Sequence, residues 1–288
     1  MKIVKKKIEF RSKNIVQDLY FEKFESYKDF YDVLMKRQPD AYEKLEDILF
    51  DGGSSWVGVN SVEQAKDMFL NGWEQNVEKM KVAFKKELNT LEHNRKPKMF
   101  NNVAGFMPVV PNALRGLPNS MIDTRMEPKK SKILNFMVSI SRAACNSVDE
   151  IIRKMSKIFA YVAMLERSGQ YRCRITCFGK ASAPNDRKKV LAAFSILIKN
   201  ENQLFDIKRL CFPVIHPAML RLFSFGWAKS LPLNRADYLE SGYGAAFERW
   251  LNQDKQDFIN QITDGNEKTI VVDLDTDIEE MLGKEVIQ

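Results

Sequence analysis

Histidine is almost missing from this chain: two residues in 288, His93 and His216. No H-x-x-x-H spacing and no Cys/His cluster can be built from them, which speaks against a zinc site. His93 sits in a polar run, and His216 lies between Ile215 and Pro217. No G-x-S-x-G elbow accompanies His216, so it reads as a packed residue at a helix break rather than a catalytic base. Cysteine is scarce too: Cys145, Cys173, Cys177 and Cys211, with no C-x-x-C pair. On one strand, Cys173 and Cys177 would stand about 13 Å apart, too far to bridge. The expectation is reduced thiols that pack as small core residues in a cytoplasmic setting. No stretch approaches about 18 uninterrupted apolar residues, so no membrane span is expected. The basic start, Met1 to Lys7, lacks the apolar run of a secretory signal. Asp51-Gly52-Gly53-Ser54-Ser55 is a turn without the pattern of a phosphate loop.

What is present is a globular composition. Hydrophobic residues make up 44%, enough for the core of one large domain or two ordinary ones. The net charge of +7 is unevenly spread. Residues 94–132 hold eight basic residues against Asp123 and Glu127, and residues 1–13 hold six against Glu9. Residues 273–288 hold six acidic residues against Lys284. Such blocks suit polyanion contact, self-association, internal pairing or plain solvation.

Residues 14–50 read as helical, with Leu19, Phe21, Phe24, Phe30, Tyr31 and Leu34 on an apolar face and a break at Pro39-Asp40. Ser61 and Gln64 form a capping box. A long helix is expected after it, with Ala65, Phe69, Trp73, Val77, Met80, Phe84, Leu88 and Leu91 on one stripe and Gly72 in its interior. Residues 94–132 contain five of the ten prolines and read as one long ordered loop. Phe100, Val103, Phe106, Met107, Val109, Val110, Leu114, Leu117 and Met121 are its expected anchors across the core.

The clearest α/β signal follows. Residues 133–140 form a continuous apolar strand, and Ser147 with Glu150 caps a helix that ends at Ser168-Gly169. Residues 171–178 alternate as a strand with one polar face, near an edge. Residues 190–198 give another strand, 203–229 and 244–262 helices, and 269–274 a last strand. The expected fold is α/β: a mixed or mostly parallel sheet flanked by helices, Rossmann-like or von Willebrand A-like, with a helical N-terminal region. The expected divisions are 1–93, 94–132 and 133–288, or one continuous domain. The strand–loop–helix–strand order resembles von Willebrand A-type domains, whose metal motif is D-x-S-x-S. Ser139 and Ser141 match its serines, but Met137 takes the aspartate position. A thioether cannot replace a carboxylate on a hard cation, so the resemblance implies a lost metal site.

Trp56-Val57-Gly58, Gly72-Trp73, Val103-Ala104-Gly105-Phe106, the run Pro111 to Met121 (PNALRGLPNSM), Phe212-Pro213 and His216-Pro217-Ala218-Met219 resemble a family of uncharacterised tailed-phage proteins over residues 50–230. That resemblance implies a phage source and partners such as phage DNA, virion components or host factors. It carries no functional residue over.

The function expected from these features is a non-catalytic, phage-encoded protein that binds nucleic acid or a phage or host protein through its basic loop. The binding residues would be Arg95, Lys96, Lys98, Arg115, Arg125, Lys129 and Lys130, with no cofactor and no metal, in the host cytoplasm or on the virion. Two other readings remain open. Asp273, Asp275 and Asp277 alternate at a strand end and could converge on Mg2+ in a nuclease or phosphoesterase. Asp277 could equally be a helix N-cap. The third reading is a virion structural subunit.

Overall fold

The computed structural model describes all residues except 38–40, 75, 94–99, 106, 124–131, 142–146, 168, 170, 182–187, 239–251, 264–267 and 274–288. The chain opens with a hairpin, β1 (Lys2–Phe10) and β2 (Ile15–Phe24). Helices α1 (Tyr27–Arg37), α2 (Ala41–Gly52), α3 (Ser54–Val57), α4 (Val62–Asn71) and α5 (Val77–His93) follow. Next come β3 (Phe100–Asn102), β4 (Met107–Pro108), α6 (Val110–Leu114) and β5 (Met121–Asp123). The α/β segment is β6 (Lys132–Ser139), α7 (Val148–Arg167), β7 (Tyr171–Lys180) and β8 (Val190–Lys199). The last part holds α8 (Ile207–Ile215), a π-helical segment (Met219–Ser224), α9 (Phe225–Ser230), α10 (Arg235–Tyr238), α11 (Asn252–Ile262) and β9 (Lys268–Val272).

Six strands form one mixed sheet in the order β1-β2-β8-β7-β6-β9. The pairs β2–β8, β6–β7 and β6–β9 are parallel, while β1–β2 and β7–β8 are antiparallel. One sheet face meets most of the helices. Phe24, Phe136, Phe194 and Ile175 pack there against Phe30 of α1, Phe69 of α4, Phe159 of α7 and Phe212 of α8. The other face is covered by α11, whose Phe258 and Ile262 meet Phe10, Leu19, Phe21, Met137 and Phe178. The α/β fold with a mixed, helix-flanked sheet is the one expected from the sequence.

Three local readings differ from the structure. Residues 15–24 are a strand, and the first helix begins only at Tyr27. Both faces of β2 are covered, with Leu19 and Phe21 in one cluster and Tyr20 and Phe24 in the other. Such a strand has no clean alternation, and its apolar residues also fit helical spacing. β7 is interior rather than near an edge: on its polar face Thr176 donates to Asn135 of β6 at 3.2 Å, and Arg174 pairs with Glu201, in the turn after β8, at 3.0 Å. The long helix after Ser61 is two helices, because Gly72 takes φ 95° at the end of α4. A Cβ there would also stand 2.9 Å from the Lys208 carbonyl oxygen, so both conformation and close packing call for glycine.

Two devices hold this arrangement together. Glu22 of β2 is fully buried and accepts hydrogen bonds from Tyr20 Oη at 2.8 Å, Trp227 Nε1 at 2.7 Å and the Arg37 guanidinium. The buried carboxylate thereby ties the sheet to α1 and α9, with its charge matched by an ion pair. Pro213 sits inside α8 and has no N–H for the Arg209 carbonyl four residues earlier. Tyr27 Oη donates to that freed oxygen at 2.9 Å.

Candidate functional site

The stretch expected to be a long loop contains regular structure of its own. β5 pairs antiparallel with β3 on one side and β4 on the other. Between β4 and β5 the chain makes one helical turn, α6, with Pro111 in its first turn. Its end is a Schellman motif: Leu117 N–H donates to Asn112 O and Gly116 N–H to Ala113 O, both at 3.0 Å, with Gly116 at φ 69°. Pro118 then prevents further helix.

Sequence reading treated the apolar residues of this stretch as anchors onto the core. The structure corrects that. No described side chain from Asn101 to Ile122 is buried, and none belongs to either hydrophobic cluster. Leu114 is 83% exposed, Val103 68%, Val110 57%, and Met107 and Leu117 46% each. Of the seven expected binding residues, Arg115 closes α6 as its C-cap and is exposed. Arg95, Lys96, Lys98, Arg125, Lys129 and Lys130 lie outside the described residues, as does Phe106. The exposed aliphatic residues are what sequence reasoning missed as a surface. The sequence did carry the local turn signal, Pro111 early in the turn and Gly116 at its end, but nothing in it for exposure.

Several of the motifs that carried the phage-family resemblance meet at a second place. His216 follows α8 and is buried, stacked on Phe212 at 4.8 Å and edge-on to Trp73 at 4.5 Å. Its Nδ1 accepts from the Ala218 N–H at 3.1 Å, which leaves the ring proton on Nε2. Burial pushes the His216 pKa down to about 4, against a smaller opposing hydrogen bond with the Gly58 backbone. Gly58 has φ 85°, and a Cβ there would stand 3.3 Å from His216 Cε1. Arg221, in the π-helical segment, stacks over the half-exposed Trp56 ring at 5.0 Å and donates to the Trp56 carbonyl. A neutral imidazole enclosed by rings and a proline turn is a packing element, and no nucleophile stands beside it among these contacts.

The carboxyl ends of β6 and β9 hold the other candidate chemistry. Ser139 and Ser141 are buried, with Ser139 Oγ accepting from the Ser141 N–H at 3.3 Å. Met137 packs in the smaller cluster against α11. Asp273 is buried and its Oδ2 accepts from Lys255 Nζ at 2.7 Å; Asp275 and Asp277 lie outside the described residues. Among the described residues no group of three His, Cys, Asp or Glu is placed to hold a metal ion. Cys173, Cys177 and Cys211 are free and buried, with their thiols pushed up to about 12 chiefly by burial. They are inert at neutral pH. Among the described residues no single helix is long and apolar enough to cross a membrane.

A family model described as a domain of unknown function (DUF7192) matches residues 5–285, and the chain belongs to that family. Comparison with curated proteins and with solved structures gave no match.

Proposed function

We propose that this member of the DUF7192 family is a non-catalytic macromolecule-binding protein whose partner is another protein, docked on the apolar surface of residues 100–123. The observation that carries this reading is the exposure of Val103, Met107, Val110, Leu114 and Leu117 in a segment with no buried described side chain. Strands of two and three residues are not stable by themselves. Apolar area left in water forgoes about 25 cal/mol per Å2, which a covering surface recovers. Among the described residues the exposed apolar side chains of this segment are non-aromatic, and such groups do not stack on bases as aromatic ones do. That favours protein over nucleic acid. Arg95, Lys96, Lys98, Arg115, Arg125, Lys129 and Lys130, in or next to this segment in sequence, add positive charge that steers an acidic partner. The tailed-phage resemblance supports a virion or host protein in that role. The β6, α7, β7, β8 order supports the von Willebrand A-like reading of this half, without its metal. The Asp273–Lys255 pair weighs against the nuclease reading, since a lysine already holds the carboxylate that Mg2+ would need.

The test is site-specific photo-crosslinking in the full chain. A photoreactive residue at Leu114 or Val103 is expected to give one defined protein adduct in phage-infected cells. The same residue at Val82, exposed on α5, serves as the control and is expected to give none. Adducts to nucleic acid at Leu114, or equal labelling at all three positions, would overturn the reading.

A further inference from the structure

We propose that the outer edge of β1 is a second docking site, which accepts an extended acidic segment of a partner protein as an added strand. β1 is the edge of the six-stranded sheet and pairs with β2 over all nine residues without a bulge. Its outer side therefore offers a regular row of N–H and C=O groups. Among the described residues no strand covers that row.

The charge pattern selects the occupant. Lys5 and Lys7 stand opposite Tyr20 and Asp18 on one sheet face, while Lys2 and Lys6 stand opposite Lys23 and Leu19 on the other. A second strand alternates in the same way, so consecutive acidic side chains on it meet lysines on both faces. A phosphate backbone runs along one side and would use only half of them. Pairing of β1 with β1 of a second copy, centred on Lys6, would set lysines against lysines, which disfavours self-association along this edge. Among the described residues most of this basic charge has no acidic partner. At the hairpin turn, α11 already engages the chain, with Asp257 accepting from the Arg11 N–H at 3.0 Å and Asp254 lying 3.8 Å from Lys13. Lys2, Lys6 and Lys7 have no carboxylate partner among the described residues, and Lys5 lies over the Tyr20 ring at 5.3 Å. A hollow of about 380 Å3 lies over the same sheet face, lined by Lys5, Lys7, Asp18, Tyr20, Val190 and Leu233; Asp18 is the one carboxylate in it, beside Lys7.

The experiment uses the full chain and a fluorescent peptide with three consecutive glutamates flanked by valine and threonine. Its comparison arms are the same peptide N-methylated at every second residue, in both phases, and a single-stranded oligonucleotide of equal charge. Strand addition predicts binding of the plain peptide and about a tenfold or greater loss on N-methylation in one phase, since methylation removes donors and keeps charge. The Lys2→Glu/Lys6→Glu variant is expected to lose binding by a similar factor. Equal binding of the methylated peptides would overturn strand addition in favour of simple charge attraction. Tighter binding of the oligonucleotide would make the edge a nucleic-acid surface. No peptide binding would leave the lysines as protection against edge-to-edge aggregation only.

Discussion

His216 gives a quantitative test of the packing around α8. Its pKa falls from 6.5 in the unfolded chain to about 4 in the fold, because burial disfavours the imidazolium. The folded pKa lies below the unfolded one, so the unfolded chain binds the proton first as pH drops. Stability from this group is fully present above the unfolded value and is lost as pH falls through the window between the two. The shift predicts that going from about pH 7.5 to about pH 5.5 costs about 1.4 kcal/mol, rising to about 3 kcal/mol in all on reaching the lower pKa. The upper half of the window lies above the range where ordinary carboxylates titrate, so urea unfolding at those two pH values isolates the histidine. His216→Asn keeps a side-chain acceptor for the Ala218 N–H and removes the titration. This variant is expected to be less stable at both pH values, because the stack on Phe212 is gone. Its loss between them should be smaller than wild type's by about 1.4 kcal/mol. Equal pH-dependent losses in the two proteins would refute the buried, neutral assignment.

Other sites yield further expectations. Arg37→Leu leaves the Glu22 carboxylate buried without its ion pair and should cost about 3–5 kcal/mol in chemical denaturation. Adding Glu22→Gln to that variant should recover part of the loss, and full additivity of the two would contradict the coupling. Gly72→Ala should destabilise by more than about 1 kcal/mol, because it meets both a positive φ and the Lys208 carbonyl. Tyr27→Phe should cost about 1 kcal/mol, and clearly less in a Pro213→Ala background, where the restored N–H can satisfy Arg209. Leu114→Glu should leave the unfolding free energy within about 0.5 kcal/mol of wild type while abolishing the adduct formed from a photoreactive residue at Val103.

Sequence periodicity and caps carried much of the fold. Continuous apolar runs at β6 and β8 and the capping boxes at Ser61 and Ser147 sit where the signals placed them, with Ser61 and Ser147 accepting from Gln64 and Glu150 at 3.1 and 3.2 Å. Such signals are local, so they are written in consecutive residues. What was not legible depends on distant partners. β2 looks helical by spacing until β8 is known to lie beside it. β7 looks like an edge because its polar face gives no hint of Asn135 and Glu201. The surface at residues 100–123 was hidden for a similar reason: an apolar residue in sequence looks the same whether it meets a core or a partner. Charge counting found the basic flanks but could not show that the apolar side chains between them face water.

The β2–β8 pairing also sets an order of events during synthesis. Phe24 pairs with Ile196, so the first hairpin cannot join the sheet until 172 further residues (196 − 24) have been made. At cellular elongation rates that is a wait on the order of ten to forty seconds. Throughout it, Leu19 and Phe21 have no sheet partner beyond β1, and Phe24, past the end of that register, has none. Like charges on the lysine row of β1 disfavour pairing of this orphan hairpin with nascent neighbours on the same messenger, before the edge meets anything in the folded chain.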